Sequence, residues 1–118
     1  MRKKIRVKFS EAAQAIYDDL KERAEFSKAD RMLLSAIDRK VDFIKINVFY
    51  GDMVPKKLIP EEYRIKYHVF SLFRVELPLF WRMLYTIEES SNEVEIMSFV
   101  IDILNHPEYS KKFGYRKR

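Results

Sequence analysis

Apolar and basic residues alternate through Lys4-Ile5-Arg6-Val7-Lys8-Phe9, the two-residue period of a half-buried strand whose other face is basic. The period then lengthens. After Ser10, a residue type that caps helices, Ala13, Ile16, Tyr17, Leu20 and Ala24 recur at helical spacing and predict a helix over about residues 11–25. Ser27 and Asp30 have capping-box form and open a longer helix to about Phe49. Its inner stripe is Leu33, Ile37, Val41, Ile44 and Val48, and Gly51 ends it. Two successive amphipathic helices after one strand predict a helical hairpin lying on a sheet.

Residues 51–59 read as a loop, and Pro60-Glu61-Glu62 as the first turn of a short helix to about Tyr67, although Tyr63 to Phe70 also admits a strand. Alternation returns from Leu72 to about Ile103, broken at Pro78-Leu79 and at Glu89-Ser90-Ser91-Asn92, which predicts a three-strand meander. Asn105 with Glu108 is a further capping box, and on the short C-terminal helix it starts, His106, Tyr109 and Phe113 share one face. The expected fold class is therefore α+β: a small antiparallel β-sheet, an N-terminal helical hairpin packed on one face, and a short C-terminal helix. Residues 1–118 are expected to form a single domain, with Arg116-Lys117-Arg118 as a loose tail.

Composition narrows the chemistry. With 35% charged residues the 118-residue chain exceeds the rough quarter of an average domain, and its formal charge of +5 favours an anionic partner. The absence of cysteine excludes disulfides, thiolate nucleophiles and Cys-based zinc sites, and two histidines are a poor basis for a metal centre, so no metal or cofactor is expected. The basic N-terminus is followed by no apolar stretch, and no run of about 18 apolar residues occurs, so neither a signal peptide nor a membrane span is read here. A cytoplasmic protein without a membrane partner is the expectation.

Arg74, Glu76 and Arg82 lie inside otherwise apolar strands, where a charge is costly unless it is paired or used. If the turn at Pro78 takes three residues, Phe73, Val75, Leu77, Trp81, Met83, Tyr85 and Ile87 face the helices. The three charges then share the opposite, uncovered side, with Glu76 across from Arg82. A two-residue turn would bury a charge in the core. The bland account of this cluster is an exposed cross-strand ion pair worth at most about 1 kcal/mol. The C-terminal helix makes it more specific, because it directly follows the third strand, so that its first turn, with His106, is expected at the end of the sheet near Arg82. Arginines, an imidazole and aromatic rings are the parts needed to cleave RNA by attack of its own 2′-hydroxyl. Guanidinium stabilises the crowded phosphorane, imidazole transfers protons, and rings hold unstacked bases.

The order strand, helical hairpin, meander, together with Phe73-Arg74-Val75-Glu76-Leu77, Trp81-Arg82-Met83-Leu84-Tyr85 and His106-Pro107-Glu108-Tyr109, resembles the RelE/ParE superfamily of type II toxin–antitoxin systems. The stretch from Leu77 to Ile87 and the string from His106 to Tyr115 are similar to an archaeal RelE-like branch. The resemblance implies a ribosome-dependent mRNA endoribonuclease that arrests translation, uses no cofactor, and is bound by a cognate acidic antitoxin. It places the family's phosphate-contacting arginine on Arg82 and its preceding basic residues on Arg74 and Glu76. Glu76 breaks the pattern in charge, and is either a base or an ion-pair partner that quenches Arg82. His106 matches the family's C-terminal arginine or histidine, and Tyr109 or Phe113 its terminal aromatic. The catalytic set so implied is Arg74, Arg82, His106 and Tyr109; Lys56, Lys57, Glu76, Phe113 and Tyr115 are the implied RNA contacts. The alternative is a non-catalytic module of the same fold, a ParE-like inhibitor or a nucleic-acid- or protein-binding domain.

Overall fold

The computed structural model describes residues 4–88 and 95–114. Its elements follow in the order β1 (Lys4–Phe9), α1 (Glu11–Arg23), α2 (Lys28–Ile46), β2 (Asp52–Met53), α3 (Glu61–Tyr67), β3 (Phe73–Glu76), β4 (Arg82–Glu88), β5 (Glu95–Leu104) and α4 (His106–Phe113). The architecture is α+β, and the five strands form one sheet in the order β1-β5-β4-β3-β2. The meander is antiparallel, but β1 runs parallel to β5, so the sheet is mixed rather than purely antiparallel. Alternation in β1 fixes which side chains face inward and is blind to strand direction.

Capping residues start the helices where their side chains can satisfy free N–H groups. Ser10 Oγ accepts from Ala13 N–H at 3.0 Å and donates to the carbonyl of Ile101, which ties the start of α1 to β5. Ser27 accepts from Asp30 N–H in α2. Tyr17 of α1 donates to Asp38 of α2 at 2.6 Å, and that bond, reinforced by burial, pushes the phenol up to about 12. The hairpin covers one sheet face: Ala13, Leu20, Leu33, Ile37 and Ile44 pack on Phe73, Val75, Leu77, Met83, Tyr85, Val100 and Ile103. α2 ends at Ile46, earlier than its apolar stripe predicts, yet Val48 stays buried and accepts a 2.7 Å hydrogen bond from Tyr85 Oη.

The loop predicted over residues 51–59 contains the edge strand β2 and a 3₁₀ turn at Lys56–Leu58. A Cβ added at Gly51 would stand 3.0 Å from the Arg74 carbonyl oxygen and from the Tyr85 ring, so the close approach of this segment to β3 requires glycine. α3 is helical, which resolves the choice between helix and strand after Pro60.

The face carrying the arginines is covered as well, contrary to the open pleat expected from sequence. Val54, Ile59, Tyr63, Leu72, Tyr109 and Phe113 close over Leu84, Phe99, Ile101 and Leu104 in a second core. The apolar residues on both parities of β5 are the reason: each sheet face has its own surface to bury. The β4–β5 register slips between Leu84, paired with Asp102, and Tyr85, paired with Val100, leaving Ile101 as the extra residue of a bulge. Ile101 and Asp102 thereby both turn toward the second core. Among the described residues no helix is long and apolar enough to cross a membrane.

Candidate functional site

β3 and β4 pair in the register that brings Glu76 opposite Arg82 and Val75 opposite Met83. The link between them is the turn Pro78–Phe80, so Arg74, Glu76 and Arg82 share the second-core side of the sheet. Tyr109 of α4 joins the two arginines. Nη1 of Arg74 donates to Tyr109 Oη at 3.1 Å, and the guanidinium carbon of Arg82 stands 4.8 Å over the Tyr109 ring. A planar, weakly hydrated cation is suited to lie on an aromatic face in this way. The Arg82 side chain is only 12% exposed, whereas the Glu76 carboxylate is 58% exposed and approaches Arg82 at 3.8 Å. That contact is a loose ion pair at the rim of the site.

Arg82 also braces the turn, where its Nη1 donates to the Phe80 carbonyl at 2.6 Å, while its buried Nε has no hydrogen-bond partner among the described residues. Leu79 and Phe80 both adopt positive φ, 61° and 63°. The Phe80 ring projects outward, 71% exposed, with its centroid 6.0 Å from that of His106 and the rings tilted by 55°. His106 is exposed at the first turn of α4, which the Asn105–Glu108 capping box fixes through bonds of 2.9 and 3.2 Å. Arg74, Arg82, Glu76, Tyr109 and His106 are thus gathered around the β3–β4 turn and the start of α4.

Other sequence-derived assignments change. Tyr109 and Phe113 are 1% and 8% exposed and stack on each other at 4.5 Å, so their rings are interior and present no surface to a base. Their helical spacing names a shared face, and α4 turns that face onto Leu84 and Leu104. Tyr109 instead positions the guanidiniums. Lys56 and Lys57 are exposed on their 3₁₀ turn, in the loop whose Val54, Pro55 and Leu58 line a narrow cavity of about 60 Å³ with Arg74 and Tyr109. Tyr115 lies outside the described residues.

A second polar group was not read from the sequence. Tyr63 Oη donates to Asp102 at 2.7 Å, and Lys112 Nζ stands 3.5 Å from Asp102 and 3.0 Å from Glu62. Burial first, then the charge of Asp102 and the bond to it, push the Tyr63 phenol far above its ordinary value. Burial pulls Lys112 down, but the bond to Glu62 and the Asp102 carboxylate outweigh it and hold the ammonium above its ordinary value. Glu62, Asp102 and Lys112 border a cleft of about 580 Å³, which Ala12 and Ile16 of α1 also line. The available signal was Asp102 itself, a lone carboxylate between Ile101 and Ile103. Among the described residues, no three or more histidine, aspartate or glutamate side chains are grouped to hold a metal ion.

In comparisons with known proteins, the chain matches no family model, no curated protein and no solved structure.

Proposed function

We propose that this chain is a RelE-like toxin of a toxin–antitoxin pair, an endoribonuclease that cuts mRNA on the ribosome and is held in check by an acidic antitoxin. The observation that supports it is the convergence of Arg74 and Arg82 on Tyr109, with Glu76 exposed against Arg82 and His106 exposed against the Phe80 ring. In this reading a carboxylate or imidazole takes the 2′-hydroxyl proton, and the 2′-oxygen attacks the adjacent phosphorus. The P–O5′ bond breaks to leave a 2′,3′-cyclic phosphate, and the second proton-transfer group protonates the departing 5′-oxygen. Arg74 and Arg82 stabilise the phosphorane charge. Tyr109 touches neither base nor phosphate; it orients both cations.

Arg82→Ala tests the reading directly. Messages in a translation extract, mapped at their ends, should show cuts phased with codons for the wild type and at least about 100-fold slower cutting for the variant. Undiminished cutting by the variant would remove Arg82 from the mechanism.

The Glu76–Arg82 contact and the low exposure of Arg82 favour a second reading, a non-catalytic inhibitor or binding module in which that arginine is structural. Growth arrest on expression with intact messages would support it over the nuclease.

A further inference from the structure

We infer that Phe80, with the His106 imidazole at its edge, is a stacking platform for one unpaired base of a single-stranded RNA. The inference rests on the RNA-directed reading for the class of ligand and names a residue that reading does not use. An exposed phenylalanine is by itself unremarkable, since much of any protein surface is apolar. Three observations set Phe80 apart. It follows Leu79 in a left-handed conformation that it shares, with φ of 61° and 63°, although glycine would adopt that backbone without steric penalty. Strain of this kind persists where the surroundings enforce it, and here Arg82 does so by donating to the Phe80 carbonyl at 2.6 Å. The outcome is a ring 71% exposed beside the half-buried Arg82, in the same turn whose Leu77 is buried.

The geometry also selects the mode of binding. Phe80 and His106 are 6.0 Å apart at 55°, an open V that admits no parallel sandwich between them. One base therefore lies flat on Phe80 with the imidazole against its edge, as single-strand binders use aromatic faces without reading sequence. Two other exposed phenylalanines, Phe26 at 86% and Phe70 at 79%, provide internal controls.

The test uses the full chain and a short single-stranded oligoribonucleotide, 2′-O-methylated so that it resists cleavage and carrying one 2-aminopurine. Binding should quench the 2-aminopurine, and Phe80→Ala should weaken binding by about tenfold or more while Phe80→Tyr retains it. Phe70→Ala should bind as the wild type does. An oligonucleotide abasic at the reporter position should bind wild type and Phe80→Ala alike. Failure of the wild type to bind, equal affinity of Phe80→Ala for the intact oligonucleotide, or an equal loss in Phe70→Ala would overturn the platform. Message cleavage is scored separately. Binding through Phe80 with uncut messages keeps the platform and removes the nuclease; cut messages with Phe80→Ala indistinguishable from wild type does the reverse.

Discussion

Tyr109 meets one guanidinium with its hydroxyl and another with its ring face, so its two substitutions separate the two contacts. Tyr109→Phe keeps the ring beneath Arg82 and loses the bond to Arg74, and should lower unfolding free energy by about 1.5 kcal/mol in a urea titration. Tyr109→Ala also empties a core position and should cost about 3–5 kcal/mol. If the two variants are equally stable, the ring is not seated as described. At this scale the sequence was informative where strand alternation assigns a side chain to a face, as for Arg74, Glu76 and Arg82. It was uninformative for Tyr109, because helical spacing says which residues share a face and not whether that face turns inward. Asp102 was hidden for another reason: simple alternation has no place for the bulge at Ile101 that re-aims it.

At the scale of elements, the turn between β3 and β4 combines strain with display. Leu79 is 52% exposed, so replacing it sacrifices little burial, while glycine accepts its φ of 61° without steric penalty. Leu79→Gly should raise unfolding free energy by up to about 1 kcal/mol, the relief of the left-handed backbone exceeding the extra entropy of glycine in the unfolded chain. A fall in stability on thermal melting would show that the turn is not strained. Helices were legible from their caps because Ser10, Ser27 and Asn105 each accept the bond that their type predicts. The two-residue strand β2 was not, since so short an edge has no period to detect. Nor was the direction of β1, which depends on which sheet edge it reaches after the chain has formed its helices.

At the scale of the whole molecule, two cores share one sheet, and the second is joined by the Tyr63–Asp102–Lys112 group. Both Tyr63 and Lys112 hold their protons more tightly in the folded protein than their ordinary values of 10.0 and 10.5. The folded state then binds more protons than the unfolded chain above those values, so their contribution is complete at neutral pH and is lost as pH rises past about 10. Tyr63→Phe should lose about 1.5 kcal/mol at pH 7, with the hydrogen bond to Asp102, and then decline less steeply than the wild type between about pH 9 and pH 11 in chemical denaturation. Parallel declines would mean that Tyr63 ionises as easily folded as unfolded. Finally, β1 ends the sheet with exposed Lys4, Arg6 and Lys8 all on one side of the strand. Were two copies to zip together antiparallel along this border, one alignment would set like charge against like charge and the next would press ammonium groups onto Ile5 and Val7. The fringe of cations thus works as a fence against fibre growth, and leaves the border open to strands of the opposite sign.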